Sequence, residues 1–245
     1  MFLSLLNVNV GSDPDRERPG RQWLRNVYHV HQRLWMAFPD AKRLADDPYF
    51  LGPWGGPPNQ APTPKRSDSG FLFRVERDGE PRILVQSAQK PNWEYAFQNA
   101  PYLLSEKQVL EFDLAARRDQ ALRFRILANP TKKIETLTKE QRHAKTPKRH
   151  GKRVPVEPTE ESSRKWLERR AKGFRLIRLT SIQPGYVYMN KTPDAGKGQQ
   201  LRSVLFEGVL EVTEPDLFRN TLIHGIGPAK AFGFGLLSVA PVAQA

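Results

Sequence analysis

The sequence predicts an α+β protein made of two similar halves, and two observations lead to this class. The first is hydrophobic patterning, because some short segments alternate apolar and polar residues as strands do, and others have the spacing of amphipathic helices. The second is the order of these segments, since strand-helix-strand-strand-helix-strand occurs twice along the 245 residues. A chain of this length fits one large domain or two small ones, each with its own core.

The first half opens with an alternating apolar segment over residues 2–10, which predicts a strand. Apolar residues at helical spacing from Trp23 to Leu44 predict a helix that Pro39 ends or kinks. Residues 52–64 hold five prolines and three glycines, which predicts a loop. Two strands joined by a turn, a short helix and a final strand follow at residues 71–76, 82–87, 93–100 and 109–115. This order is that of the ferredoxin-like (RRM-like, βαββαβ) fold.

The second half repeats this order of elements with little similarity of sequence. Its predicted strands and helices lie at residues 122–128, 160–172, 186–189, 203–212, 215–224 and 235–239. We place the boundary between the halves within residues 117–120, which gives one domain over residues 1–117 and a second over residues 118–245. The predicted fold is therefore two tandem ferredoxin-like domains.

The charge of the chain is strongly basic, with 39 Lys and Arg residues against 26 Asp and Glu residues, a formal net charge of +13 and a pI near 10.1. Basic groups gain free energy by displacing counterions from phosphates, so this balance favours a polyanionic partner. The alternative is a basic protein that binds no polyanion.

The sequence contains no cysteine, which excludes disulfides, thiolate zinc sites and a cysteine nucleophile. Residues 1–10 are apolar but have neither the basic start nor the cleavage site of a signal peptide. No apolar run approaches the roughly 18 residues that a membrane-spanning helix needs. We therefore expect a cytoplasmic protein with no membrane partner.

Motifs for cofactor and metal chemistry are missing from the sequence, which has no P-loop, no HExxH and no GxSxG. Asp46 and Asp47 form the only adjacent pair of aspartates and lie beside the predicted loop, which is a weak basis for a two-metal nuclease site. We expect neither a metal nor a small-molecule cofactor.

Tyr28 and His31 are the candidates for acid–base chemistry. Their i, i+3 spacing puts them on one face of a helix, whereas His29 points about 100° away around the axis. An imidazole exchanges a proton near neutral pH, and a phenol donates a hydrogen bond to charge that develops on a phosphate. RNA carries its own nucleophile, the 2′-OH, so this pair would be enough for its cleavage. The alternative is two half-buried helix residues that are hydrogen-bonded to the core.

A glycine-rich segment near the C-terminus is a second candidate site. Glycines on both sides of Lys230 would let backbone N–H groups converge on a phosphate, and these glycines are Gly225, Gly227, Gly233 and Gly235. The segment does not open the strand–helix unit of a Rossmann fingerprint. The alternative is a tight turn before the last strand.

Basic residues in the second half predict a phosphate-binding surface. Residues 139–153 hold seven Lys and Arg residues against one Glu, which predicts a flexible basic loop. Arg123 and Arg125 alternate with apolar residues, so both point to one face of a strand. We expect Lys132 and Lys133 to extend this positive face.

The predicted hairpin over residues 186–204 carries three further cations, Lys191, Lys197 and Arg202, beside turn-forming residues. A basic hairpin suits the grooves of a structured RNA, which proteins recognise mainly through phosphates and shape. We expect these cations to bind RNA.

Several segments, taken together and in this order, resemble one protein family. They are Tyr28–Trp35 (YHVHQRLW), Val85–Gln89 (VQSAQ), Leu122–Lys132 (LRFRILANPTK), Ser203–Gly208 (SVLFEG) and Gly225–Pro241 (GIGPAKAFGFGLLSVAP). With these segments the chain resembles the CasE endoribonucleases of type I-E CRISPR systems. The resemblance spans nearly the whole chain, and its last segment is the most specific.

The resemblance implies tandem ferredoxin-like domains and metal-independent cleavage at the 3′ base of a CRISPR repeat stem-loop, with a 2′,3′-cyclic phosphate at the product end. It also implies retention within the multi-subunit Cascade surveillance complex. The catalytic tyrosine and histidine of the family correspond to Tyr28 and His31. The tip of the hairpin does not align residue by residue, so Lys191 is assigned as a phosphate ligand from its position alone.

Two other functions fit the composition. The first is a non-catalytic RNA-binding subunit of a ribonucleoprotein complex, which would not need Tyr28 and His31 beside the phosphate path. The second is a basic DNA-binding or ribosome-associated protein, whose binding would ignore 2′-deoxy substitution and hairpin structure.

Overall fold

The structure is a computed structural model that describes residues 1–11, 18–38, 70–113, 115–135, 151–157, 159–191 and 198–242. Its first sheet contains strands β1 (Phe2–Val8), β2 (Phe71–Glu76), β3 (Arg82–Ser87) and β4 (Leu104–Glu111). Its helices are α1 (Pro19–Arg25), α2 (Val27–Trp35) and α3 (Trp93–Phe97), with a 3₁₀ turn at Pro101–Leu103. The strand order is β2-β3-β1-β4, and all neighbouring strands are antiparallel.

The second sheet contains β5 (Ala121–Ala128), β8 (Phe174–Met189), β9 (Gln199–Val212) and β10 (Leu237–Pro241). Helices α4 (Glu160–Glu168) and α5 (Pro215–His224) accompany it, and β6 (Thr131–Glu135) and β7 (Gly151–Pro155) form a separate hairpin. The order β10-β5-β9-β8 matches that of the first sheet, since the first strand lies between the last and the third in both. The prediction of two ferredoxin-like domains is therefore confirmed.

Each sheet has its own hydrophobic core. The first core includes the fully buried residues Leu6, Leu34 and Phe73, and the second includes Phe206 and Phe218. The last strand of the first sheet ends at residue 111 and the first strand of the second begins at residue 121. A division into domains at residues 117–120 stays our proposal.

Several predicted elements differ from the observed ones. The prediction of one long first helix is wrong, because α1 and α2 are separated at Asn26, whose backbone is extended (φ −119°). The last strand of the first half begins five residues and ends four residues earlier than predicted, and that of the second half is displaced by two residues at both ends. The first hairpin strand of the second half begins at residue 174 instead of 186, and Lys152 and Arg153, predicted in a loop, lie in β7. The loop predicted at residues 52–64 lies outside the described residues.

No helix within the described ranges is both long enough and apolar enough to span a membrane.

A buried arginine joins the two domains. Arg74 on β2 is 3% exposed, and its guanidinium donates hydrogen bonds to the carbonyl oxygens of Arg125 and Leu236 and to the Ser238 hydroxyl. It also forms an ion pair with Glu76 at 2.6 Å. One side chain from the first sheet thus supplies donors to two backbone carbonyls of the second domain.

We expect Arg74→Met to lower the free energy of unfolding by about 2–4 kcal/mol, because it leaves the partly buried Glu76 carboxylate without its nearest cation and the Leu236 carbonyl without this donor. Urea unfolding of the RNA-free protein measures the change. The control is Arg164→Ala, which removes an exposed i, i+4 ion pair with Glu160 and should cost about 0.5 kcal/mol or less. Equal losses in the two variants would contradict this role of Arg74.

Candidate functional site

Helix α2 places Tyr28 and His31 on neighbouring positions of one face, as the sequence predicts. Asn26 is its N-cap, and the Asn26 side-chain oxygen accepts a hydrogen bond from the Tyr28 N–H at 3.2 Å. Tyr28 and His31 are half-buried, whereas His29 is exposed. The helix turns Val30 and Leu34 into the core of the first domain, so its registry is set by packing.

His31 lies against a wall of aromatic rings. Its imidazole stacks on Phe71 at 5.3 Å between ring centroids and on Phe73 at 6.1 Å, and it meets the edge of Trp35 at 5.8 Å. Its Nδ1 atom is buried and has no hydrogen-bond partner among the described residues. Burial lowers the pKa of His31 from 6.5 to about 4, so the imidazole of the free protein is neutral at neutral pH. A neutral imidazole is able to accept a proton.

A side-chain amide connects the start of α2 to the end of β8. Asn26 is 7% exposed, and its Nδ2 donates to the carbonyl oxygen of Asn190 at 2.8 Å. The Asn190 N–H in turn donates to the Asn26 side-chain oxygen at 3.0 Å. We call this pair of hydrogen bonds the Asn26 clamp. It fixes residue 190 of the second domain against the helix of the first.

The Asn26 clamp brings Lys191 next to Tyr28. The Lys191 ammonium lies 5.9 Å from the centre of the Tyr28 ring and 5.5 Å from the centre of the Phe232 ring. Beneath this contact is a small apolar cluster of Val27, Val187 and Met189, together with Phe234 from the glycine-rich segment. A phenol and a cation are therefore in contact where the two domains meet, and the imidazole of His31 lies one helical turn further along α2.

The glycine-rich segment forms a closed loop against the first domain. The Ile226 N–H donates to the Gly235 carbonyl at 2.9 Å, and the Gly235 N–H donates to the Leu127 carbonyl at 2.8 Å. A Cβ atom at Gly225 would lie 2.7 Å from both the Gly235 carbonyl oxygen and a methyl of Leu72. The segment thus has the structural role of a tight turn, and its contact with phosphate stays a prediction.

The other predicted residues of the glycine-rich segment are also restricted by their backbone conformation or by neighbouring side chains. Gly227 and Gly233 have φ of 84° and 80°, which favour glycine. A Cβ at Gly227 would meet the Trp166 ring at 2.8 Å. Lys230 begins the 3₁₀ turn Lys230–Phe232, whose Phe232 ring contacts Lys191.

The two predicted cations of β5 have different surroundings. Arg123 is exposed and donates to the Pro241 carbonyl at 3.2 Å. Arg125 forms ion pairs with Asp78 at 2.7 Å and Glu207 at 3.0 Å. These carboxylates, with hydrogen bonding, raise the pKa of Arg125 despite its partial burial. Arg125 is therefore held at the domain joint by acidic partners, with which a phosphate would have to compete.

The other predicted cations are divided between two places. Lys132 and Lys133 are exposed on β6, so they belong to the separate hairpin and do not extend the face of β5. That part of the prediction is wrong, because the chain leaves the second sheet after β5. Arg202 is exposed on β9, and Lys197 lies outside the described residues.

Two residues that shape this site were missed by the sequence analysis. Asn26 precedes an amphipathic segment, and asparagine is among the strongest N-cap residues, so this signal was available. Its partner Asn190 is 164 residues away, and nothing in the local sequence indicates that pairing.

A model of one family, described as CRISPR associated protein, matches residues 1–241 of the chain. The chain belongs to this family. It is 37% identical to the CRISPR-associated endoribonuclease Cse3 of Thermus thermophilus, over 98% of this chain and 100% of that protein. It is 31% identical to the CRISPR system Cascade subunit CasE of Escherichia coli, over 91% of this chain and 96% of that protein.

The solved structure of Thermus thermophilus Cse3 bound to an RNA representing a pre-cleavage complex is similar to this CRISPR-associated protein. The TM-score is 0.67 at 30% identity, and the match covers 98% of each chain. The resemblance to CasE that the sequence predicts is thereby confirmed.

The described residues contain no group of three or more His, Cys, Asp or Glu side chains that could hold a metal ion.

We expect the RNA-free protein to lose stability in acid partly through His31. Its pKa is about 4 when folded and 6.5 when unfolded, so the unfolded state binds more protons between these values. The neutral, buried His31 contributes about 3 kcal/mol to the free energy of unfolding above pH 6.5, and this contribution decreases as the pH drops towards 4. His31→Phe keeps an aromatic ring and should remove this part of the slope.

Urea unfolding at several pH values compares His31→Phe with the wild-type protein. The control, His29→Ala, changes an exposed residue of the same helix and should keep the wild-type slope. If His31→Phe retained the full acid sensitivity, burial of a neutral His31 would be refuted.

Proposed function

We propose that this protein is a metal-independent endoribonuclease that binds the stem-loop of a CRISPR repeat RNA and cuts at its 3′ base. The observation that carries the proposal is the contact of Lys191 with Tyr28, held by the Asn26 clamp, on the helix that carries His31 one turn further along. Two relatives support it, since one is named an endoribonuclease and the other a Cascade subunit. The products are a 2′,3′-cyclic phosphate end and the mature guide RNA.

His31 moves the proton in the proposed reaction. Its neutral imidazole takes the proton from the 2′-OH, whose oxygen attacks the adjacent phosphorus. The bond from phosphorus to the 5′-oxygen breaks, and the imidazolium gives its proton to that oxygen. Because burial makes this imidazolium a stronger acid than an exposed one, the protonated intermediate readily releases its proton. The proton passes from the 2′-oxygen to the 5′-oxygen, and no cofactor is consumed.

Tyr28 and Lys191 act on the phosphate. The phenol donates a hydrogen bond to a phosphate oxygen or to the sugar, and the ammonium offsets the negative charge that develops as the phosphorus gains a fifth ligand. Lys191 is close to the Tyr28 ring, so one phosphate is able to contact both groups. The Asn26 clamp keeps this cation in place before RNA binds.

The second domain supplies most of the positive charge for RNA binding. Residues 1–117 carry 15 Lys and Arg residues against 14 Asp and Glu residues, whereas residues 118–245 carry 24 against 12. Exposed Arg123, Lys132, Lys133 and Arg202 are the described phosphate ligands in this proposal, and Lys197 and the basic tract over residues 139–153 add to them. The first domain, whose net charge is close to zero, is then available to contact other protein subunits.

The partners in this proposal are the repeat RNA and the other subunits of a Cascade complex. The name of the Escherichia coli relative supports the second partner. We place the protein in the cytoplasm, together with the transcripts that it processes.

We expect His31→Ala to slow single-turnover cleavage of repeat RNA by about 10²–10⁴-fold, the usual cost of losing a general acid or base. RNA affinity should stay close to the wild-type value, because binding depends on the basic surfaces. His29→Ala is the matched control and should cut normally, and Tyr28→Phe should show an intermediate loss.

The same assay tests the chemistry with two further conditions. Cleavage should persist in excess EDTA, and RNA with a 2′-deoxy sugar 5′ of the scissile phosphate should bind but remain intact. Cleavage of the deoxy substrate, or a requirement for Mg²⁺ or Mn²⁺, would refute the mechanism. A wild-type protein that binds repeat RNA without cutting it would indicate a non-catalytic RNA-binding subunit instead.

A further inference from the structure

A pocket on the second domain lies outside the candidate site. It has a volume of about 230 Å³ and lies between the ends of the β6–β7 hairpin, the start of α4 and the β8–β9 ribbon. Its apolar walls come from Pro130, Val156 and Pro184. Tyr186 and Arg202 also line it.

The register of the ribbon puts Tyr186 and Arg202 on one face. They are direct partners in the antiparallel pairing of β8 with β9, and Pro184 is paired with Val204 one position further along that face. The Tyr186 side chain is 62% exposed, and Arg202 is also exposed. The ring of Tyr186 and the guanidinium of Arg202 are therefore adjacent at the opening of the apolar pocket.

The backbone beneath this pair is fixed before any ligand binds. The buried Asn129 donates a hydrogen bond from its amide to the carbonyl oxygen of Arg202, and its neighbour Pro130 forms one wall of the pocket. The rim is thus preorganised, which lowers the entropic cost of binding.

The chemistry of the pocket suits a nucleobase. Its volume is below the roughly 300–1,000 Å³ of sites for drug-sized ligands and is sufficient for one flat heterocycle. Proline, valine and tyrosine provide faces on which any base stacks, and arginine attracts the phosphate of the same nucleotide. Glu157, also in the lining, is an acceptor for exocyclic amino groups.

The pocket is within reach of an RNA bound at the candidate site. Tyr186 and Lys191 are five residues apart, which is about 17 Å along an extended strand. At the roughly 3.4 Å per nucleotide of one strand of duplex DNA, that distance corresponds to about five nucleotides, and the path around β8 adds to it. Val187 and Met189 face the apolar cluster with Val27, so Tyr186 faces away from it. Because β8 is the edge strand, an RNA chain is able to pass around it to the other face.

We propose that this pocket binds one unpaired nucleobase of the RNA substrate, stacked on Tyr186 with its phosphate on Arg202. The inference rests on the proposed function, since it names a second contact with the same RNA. With this contact the protein recognises an unpaired nucleotide as well as the shape of the stem.

The test measures equilibrium binding of repeat RNA with its unpaired flanking nucleotides, at one fixed salt concentration. Tyr186→Ala should weaken binding by roughly 5- to 150-fold, which corresponds to about 1–3 kcal/mol for one stacked base. Tyr186→Phe keeps the ring and should bind within about twofold of the wild-type protein. Tyr102→Ala is the control, since Tyr102 is similarly exposed (56%) on the first domain.

The base is identified by replacing each unpaired nucleotide in turn with an abasic one. One abasic position should weaken binding to the wild-type protein and to Tyr186→Phe, but have little further effect on Tyr186→Ala. Cleavage at saturating RNA should stay unchanged, because the pocket does not touch the reacting phosphate.

Normal affinity in Tyr186→Ala together with normal cleavage would overturn this inference and leave the proposed function standing. Loss of assembly with Cascade subunits at unchanged RNA affinity would also overturn it and would make the pocket a protein-docking site. Failure of the wild-type protein to bind or cut repeat RNA would overturn the proposed function and this inference together.

Discussion

The amide of Asn26 is the interaction on which the proposed site depends. One oxygen caps α2 and accepts from Asn190, and the nitrogen donates back to Asn190, so three hydrogen bonds converge on a single buried side chain. Tyr28 and His31 belong to the first domain and Lys191 to the second. Without this joint the position of Lys191 relative to the acid–base pair would depend on a small apolar cluster and on the more distant contacts of Arg74 and Arg125 between the domains.

The surroundings of His31 show the balance between stability and chemistry at this site. Stacking on Phe71 and Phe73 holds the ring in one orientation, and burial disfavours its charged form. An approaching phosphate acts in the opposite direction, because its negative charge favours the imidazolium. We therefore expect the proton affinity of His31 to be low in the free protein and to rise when the phosphate of the substrate approaches.

The sequence was sufficient for the order of the strands in the two main sheets and for the helix face that carries Tyr28 and His31, because both depend on local periodicity, but it did not predict the β6–β7 hairpin. It was not sufficient for contacts between distant segments. Arg125 looks like a phosphate ligand in its alternating strand, but its acidic partners come from a turn after β2 and from β9. The glycines look like a phosphate loop, and only the fold shows that Leu72 and Trp166 occupy the space beside them. Tertiary packing decides such cases.

The most direct test of the central claim is a double-mutant cycle of Asn26→Ser and Lys191→Ala, in which the rate of single-turnover cleavage is measured at saturating RNA. Serine still caps α2 but is too short to hold Asn190, so the helix is retained while the Asn26 clamp is lost. Asn26→Ser should slow cleavage in the wild-type background by about tenfold or more, since small displacements of catalytic groups are costly. In the Lys191→Ala background it should have little further effect. Equal, additive losses in the two backgrounds would show that Asn26 does not act by positioning Lys191.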